Sequence, residues 1–503
     1  MSLIFRVRAT MRLLPALALL LAACDGPTES NPPPTRKVAK VDVTAPGAEL
    51  RLGKTLQLQA AMLDESDLPI TRTVAWTWRG PVSVDSAGVV SATGLGDATI
   101  TGTSEGVSDS VQVRVVTPVV QNSPVVVGVT HACGINARSE TFCWGNNSYG
   151  LLGTGINDKT PHFLPEKVLT AVQFSSLSSQ GGYTCGLNAT GAAFCWGIDI
   201  GGSLGTSATQ ECDGEVGPSR CSNTPVGVAA TVPLQSIYAM WTHGCGLASD
   251  GRAFCWGTNT RGQLGIGSVV NTHLPSQVAL SFRYREITGS RDHTCGLTLP
   301  GKAYCWGDNS SGQLGLGGPD LLTRPLPTEV RTTLSFVAIS AHGQEQKGHT
   351  CGIATDSLTY CWGNNDYGQL GNGTTNTVGS PTPVLTELRF VAIEAGYNWT
   401  CGITALGKAH CWGSGARGSI PNTTATCTGH FGTNPCAARP VAIAPEMTFV
   451  AVRPGFSSAC AVAVDDRAYC WGANDVGKIG NGSTSDAPAP AAVAGEHLFP
   501  PRP

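Results

Sequence analysis

Cysteine is the residue type through which this sequence could do most chemistry. Of nineteen cysteines, eighteen fall into nine close pairs: Cys133 with Cys143, Cys185 with Cys195, Cys212 with Cys221, Cys245 with Cys255, Cys295 with Cys305, Cys351 with Cys361, Cys401 with Cys411, Cys427 with Cys436, and Cys460 with Cys470. Seven pairs are ten residues apart and two are nine apart. Such a set is out of place in a reducing cytosol, so it predicts nine intrachain disulfides in an exported protein. Zinc needs ligands clustered at spacings such as C-x2-C, and none occurs, so no metal is expected. A second candidate set lies two residues before the first Cys of each ten-residue pair: His131, Tyr183, His243, His293, His349, Trp399 and Ser458. Four histidines offer metal or general-base chemistry. Their equivalent positions argue instead for structure, each side chain packing or bonding within its own repeat. The Asn- and Gly-rich stretches 307–312 and 363–368 lack the spaced carboxylates of a calcium loop and read as turns. There is no His-Glu-x-x-His or phosphate loop. No catalytic residue and no cofactor is expected, and the chain reads as a non-enzyme.

The elements that hold these residues follow from composition. The chain has 503 residues, 63 of them Gly, and only 13% are charged. That charge is about half the usual share, and with so much Gly it points to an all-β protein of short strands and tight turns. Net charge is −3, with no basic surplus to neutralise phosphates, so nucleic acid is not an expected partner.

At the N-terminus Arg6, Arg8 and Arg12 precede an apolar run, Leu13 to Ala22. It is too short to span a bilayer, which takes roughly 20 residues, and fits a secretory signal peptide. The sequence Leu21-Ala22-Ala23-Cys24 resembles the lipobox of bacterial lipoproteins. That resemblance implies cleavage before Cys24 and lipid attachment to it, the membrane being reached through this anchor only and in an unassigned leaflet. Residues 1–23 are then the signal and 24–37 a Pro-rich tether. Residues 38–117 alternate apolar and polar positions, as in Val41 and Val43 or Val111, Val113 and Val115, and predict an antiparallel sandwich. The stretches Val74-Ala-Trp76, Val84 to Ala92 and Gly96 to Thr101 resemble the bacterial Ig-like domain of group 2. The resemblance implies a spacer of the kind found in cell-surface stalks. Residues 118–124 form a linker.

Residues 125–503 are a repeat array. Cys-Trp-Gly begins at Cys143, Cys195, Cys255, Cys305, Cys361, Cys411 and Cys470. A Gly follows each Trp by six residues and a Leu or Ile by eight; the next position is Gly except at Pro421. A period near 50 with four short strands per unit suggests propeller blades. The array resembles the regulator of chromosome condensation repeat family, which implies a seven-bladed β-propeller; its first repeat has only a weak match to the Phe-x-x-Ile strand, near Val125. The complete expectation is an all-β chain with an N-terminal Ig-like β-sandwich and a seven-bladed propeller. Each ten-residue pair would staple a hairpin, as around Pro300-Gly301 between Cys295 and Cys305.

The two nine-residue pairs sit in insertions, Thr206 to Thr224 and Asn422 to Arg439, at one position of repeats two and six. They are expected to form disulfide-braced lobes on one face, with little apolar core of their own and no part in the stability of the ring. A third insertion, His342 to Lys347, enters a different connection and is expected elsewhere. Tyr149, Arg261, Tyr367 and Arg417 occupy the loop before the Gly six after Trp and are the candidate binding residues. The expected function is an exported, lipid-anchored scaffold that grips an unidentified protein or glycan. The alternative is an enzyme or enzyme inhibitor on the same scaffold. The family resemblance also implies guanine-nucleotide exchange; export and the disulfides disfavour it.

Overall fold

A computed structural model describes residues 36–500, apart from 48, 52, 53, 95, 117–122, 208, 216 and 431. The signal peptide, Cys24, nearly all of the tether and most of the linker lie outside the described residues.

Residues 38–116 form strands in three small sheets. A four-stranded sheet (strands Glu49–Arg51, Val107–Val116, Gly96–Ser104, Ala75–Arg79) and a three-stranded one share a core of Leu50, Leu58, Val82, Val90, Ile100 and Val113. The alternation puts every second residue of Gly96–Ser104 inside. Pairing is not uniformly antiparallel: Glu49–Arg51 runs parallel to Arg114–Val116.

From Val125 onward the described residues make seven antiparallel sheets in sequence order, five of four strands and two of five. Each is a meander. The inner strands are Val125–Val127, Phe174–Ser179, Leu234–Ala239, Tyr284–Gly289, Phe336–Gln344, Phe390–Ala395 and Phe449–Pro454. Second and third strands carry the ten-residue cysteine pairs directly opposite one another, and all seven pairs are bonded, with Cα atoms 4.0–4.1 Å apart. The two nine-residue pairs are bonded as well, Cys212 to Cys221 and Cys427 to Cys436. They differ from the other seven in placement. Cys221 lies opposite Gln210 and Cys436 opposite Ala425, so neither faces its own partner across the ladder, and the Cα atoms are 5.9 and 5.7 Å apart. Their lobes add the fifth strand to sheets two and six.

The Gly of each Cys-Trp-Gly is required by geometry. The third strand shifts register there, φ is +96° to +111°, and an added Cβ would lie within 2.7 Å of the facing backbone. No L-residue meets both conditions.

Adjacent sheets bury a Trp between them, and the seventh sheet packs on the first through Val125, Val127, Trp144, Val450 and Val462. The ring closes without strand exchange, since all four strands of sheet one are contiguous in the chain. The weak start of repeat one is completed from the other end. In sheets two to six the aromatic or Leu opening the inner strand presses on the Gly after the first Cys: Phe174 on Gly186, Leu234 on Gly246, Tyr284 on Gly296, Phe336 on Gly352, Phe390 on Gly402. In sheet one that place on Gly134 belongs to Phe499. Phe499 is 1% exposed, His497 stacks on Phe142 at 4.2 Å, and Ala137 N–H donates to Leu498 O. Phe499→Ala should therefore cost about 3–5 kcal/mol, as for other buried aromatics. Urea denaturation measures this; a midpoint equal to the wild type would show that the C-terminal segment does not close the ring.

Candidate functional site

Six of the seven equivalent residues before the first cysteines reach into the following sheet, while Ser458 Oγ is buried with no hydrogen-bond partner among the described residues. His131, His243, His293 and His349 each place Nε2 2.7–3.1 Å from a Thr hydroxyl of the following sheet, Thr184, Thr294, Thr350 and Thr400. Three of those hydroxyls donate back to the loop carbonyls of Gln263, Gln313 and Gln369. With its one hydrogen used, the hydroxyl must accept from His Nε2–H, which fixes the tautomer. Trp306 and Trp362 donate to the same Gln263 and Gln313 carbonyls at 2.8 and 2.9 Å. Trp144 closes the ring with the same bond to Lys478 O. Tyr183 and Trp399 substitute for His by donating to His243 O and Gly455 O of the next sheet. Burial pushes the four histidines down to about 3 or 4, so they are neutral. A proton on Nδ1 of His131, His243 or His349 would find no partner among the described residues. These groups hold the ring; they are not a reaction centre.

In five of the seven repeats the loop after the third strand is held by one Asn. Asn259, Asn365 and Asn474 each donate to two carbonyls nine and eleven residues on and accept the N–H five residues on. In repeats two and six that position is Asp199 and Gly415, neither able to donate from a side chain. Those are the repeats with lobes: a disulfide replaces the Asn clamp.

The lobes correct the expectation about binding residues. Tyr149 and Tyr367, read from sequence as contact residues, are 7% and 1% exposed. Each belongs to the sheet before a lobe and packs on its disulfide, Tyr149 on Cys212 and Cys221, Tyr367 on Cys427 and Cys436. Their hydroxyls donate to Gly217 O and Gly432 O, both at 3.0 Å. The lobes thus borrow their core, and removing them would strand two large side chains, contrary to the expectation that they leave stability untouched. Arg417 bridges to Asp475 and Asp486 of the next sheet at 2.9 and 2.7 Å. Arg261 is partly exposed at the equivalent loop of sheet three.

The third insertion also differs from expectation. It lengthens the hairpin Phe336–Gln344/Lys347–Ala354 on the face that carries the sixth-repeat lobe. Glu345 at its tip lies 3.1 Å from Arg291 of sheet four and 3.7 Å from His430 of that lobe. Gln346 O accepts from Ser311 Oγ. Trp241, His342, Tyr397 and Phe456 meet at the centre of this face. Trp241 of sheet three is 6.2 Å from Phe456 of sheet seven and 5.9 Å from Tyr397 of sheet six, and Tyr397–Phe456 is 4.3 Å. Trp241 and Phe456 remain partly exposed.

Below this cluster lies a channel of about 520 Å³ lined by the inner strands. Opposite the first cysteines stand Val126, Ser178, Tyr238, Thr288, Ser340, Glu394 and Arg453. Ser178, Thr288 and Ser340 accept the N–H of Ala239, Ala341 and Ala395 in the next sheet, capping its free inner edge. Glu394 pairs with Arg453. Glu286 sits two residues below this level. Burial raises its carboxyl to about 7, against the backbone N–H of Ile339 and the charges of Arg285 and Arg453. Sequence reasoning missed the aromatic cluster and the channel charges because they come from turns and strands of different repeats. The signal was present as departures at one repeat position: Glu394 and Arg453 where four other repeats carry hydroxyls.

Solved structures with this ring include human WBSCR16, with a TM-score of 0.61 at 20% identity over 71% of this chain and 95% of that one. Yeast RCC1 (Prp20) bound to Kap60 matches with a TM-score of 0.61 at 19% identity, covering 75% of this chain and 85% of that one. These likenesses define the fold as that of the RCC1 propeller. The family model described as the regulator of chromosome condensation (RCC1) repeat matches residues 250–297, 300–344 and 356–403, and a second model of that description matches 236–263 and 285–313, so this part of the chain carries RCC1 repeats. Among curated proteins, the probable E3 ubiquitin-protein ligase HERC6 of Homo sapiens is 29% identical over 31% of this chain, and the ultraviolet-B receptor UVR8 of Arabidopsis thaliana 26% identical over 31%. The matches span only 15% and 33% of those relatives' own lengths.

The neutral clasps predict acid sensitivity. Four clasp histidines and His342 have folded values of about 3 to 4, below the ordinary 6.5. Their contribution is whole above 6.5 and is lost as pH falls toward 3–4, because the unfolded chain takes up protons first. The loss is about 1.4 kcal/mol per histidine per pH unit. Glu286 opposes this as a single group, gaining stability as pH falls from 7 to 4.5. Guanidinium midpoints should decline steadily from pH 6.5 to 4.5; a flat profile would contradict the neutral clasps.

Proposed function

We propose that this protein is an exported, lipid-anchored, non-enzymatic scaffold at a bacterial cell surface. In this reading a seven-bladed propeller, stapled by disulfides, is displayed on an Ig-like group 2 spacer and grips a protein or glycan. One observation carries the reading: both lobes, the Glu345 hairpin and the aromatic cluster depart from the repeat on the same face. Loops on a rigid scaffold are where recognition concentrates, and partly exposed Trp and Phe at the centre of a face suit an anchor for a partner. Arg261 belongs to this face; Tyr149, Tyr367 and Arg417 act by holding its loops. The ligase and photoreceptor activities named for the curated relatives are not carried over, since the match is a fraction of those chains.

The face is tested by cross-linking on intact cells. Wild-type protein should give discrete adducts that disappear in the double variant Trp241→Ala/Phe456→Ala and persist when Leu299 on the opposite face is changed to Ser. Adducts unchanged by the double variant would place the partner elsewhere. The anchor is tested separately: Cys24→Ser should abolish lipid labelling and release the protein from the membrane fraction, and a processed but unlabelled wild type would refute lipidation.

A further inference from the structure

The channel has a chemistry that partner recognition at the lobed face does not use. It is blind. Trp241, His342, Tyr397 and Phe456 cross the axis at one end, while the turn Ala248–Gly251 and Leu299 line the other. A hydroxyl is enough to cap the neighbouring inner edge, as Ser178, Thr288 and Ser340 show. Glu394 and Arg453 at equivalent positions therefore place charge in a confined space that edge capping does not require. Charge there costs desolvation energy, which a bound cation would offset.

Acceptors occur at three levels along the channel. Glu286 is lowest. Glu394 is two residues higher in register and shares its charge with Arg453. Gln180 is two residues higher again, and its Oε1 is buried in the channel wall with no hydrogen-bond donor among the described residues. The outer levels are four residues apart, about 13 Å along a strand. Two carboxylates and one guanidinium leave this deep part net negative. Arg283 and Arg285 at the open end are exposed, and Arg285 Nη2 is bonded to Phe336 O. The complement of this arrangement is a slender cation rich in N–H donors and free of bulk.

We propose that the channel binds a linear aliphatic polyamine, one ammonium at Glu286, one near Glu394 and one at the Gln180 amide oxygen. The alkyl segments between would run along the Leu177, Ile237, Ile287 and Ile339 walls. The raised carboxyl of Glu286 fits a group awaiting a cation. Its charged neighbours are Arg285 on its own strand and Arg453 across the channel, with the Tyr238 phenol, raised to about 12 by burial and then by Glu286, beside it.

The test is calorimetric titration of the full disulfide-bonded chain with spermidine at about 0.15 M salt, where exposed charges are screened beyond about 8 Å. One site per chain is expected. Glu286→Gln keeps the Ile339 contact and should weaken binding at least tenfold. Gln180→Leu, at the other end, should weaken it several-fold. Thermal melts without ligand identify any variant that fails to fold, in which case its partner at the other end decides. Wild-type binding should tighten from pH 6 to 8 as Glu286 ionises. No saturable binding, several weak equivalent sites, or a folded Glu286→Gln chain that binds as tightly as wild type would each overturn the proposal. Loss of polyamine binding with surface adducts intact would separate this site from the lobed face.

Discussion

One backbone oxygen in each of five loops takes the indole of the next sheet and sets the geometry of the ring. The carbonyls of Gln263 and Gln313 each take two donors from the next sheet, an indole N–H and a Thr hydroxyl. Both lone pairs are used, so the loop cannot shift without abandoning a buried indole. The Thr hydroxyl in turn receives the imidazole of the sheet behind it. Sheet, loop and following sheet are thus tied by directional bonds, where apolar packing alone would tolerate sliding. The disulfides work at right angles to this. Seven of them lock second strand to third inside a sheet, and the two in the lobes also pack against a Tyr of the preceding sheet.

The regular part of this design was legible because it repeats. Cys-Trp-Gly in seven copies fixes the hairpin, the bulge and the buried Trp, and spacing alone pairs the cysteines. What was not legible is what reaches across repeats. The histidines looked local, because a sequence shows which repeat a residue comes from and not which one it touches. Tyr149 and Tyr367 looked exposed because loops usually are; each in fact precedes a repeat whose Asn clamp is missing, at Asp199 and Gly415. That coincidence was readable in the letters, but its meaning depends on knowing that neighbouring loops stack. The Glu345 hairpin was misplaced for a similar reason: connections at the two ends of a second strand emerge on opposite faces, and the two connections that flank strands one to two and three to four emerge on the same one.

Asymmetry in a repeated ring is informative about use. Sheets three and four keep the clamp and carry no lobe, so the face is open on their side around Trp241 and Arg261. Lobes on sheets two and six, with the hairpin on sheet five, separate this side from sheets seven and one, which also carry no lobe. Walls at these positions limit the orientations in which a partner can approach. The channel beneath shows the same economy: three of the seven positions opposite the first cysteines cap strand edges, and the two charged ones stand out against them.

Phe499 also has a bearing on the order in which the molecule can be made. The inner strand of the first repeat is synthesised and delivered some 370 residues before the side chain that covers Gly134, as the positions of Val125 and Phe499 dictate. Each stapled hairpin needs only its own ten-residue interval and can oxidise as it emerges. The first sheet cannot complete its core until Phe499 arrives, so the first repeat is finished after the seventh has been made. If the chain is threaded through a membrane from its N-terminus, as proposed, local oxidation would proceed along the thread, and closure of the circle would wait for Phe499.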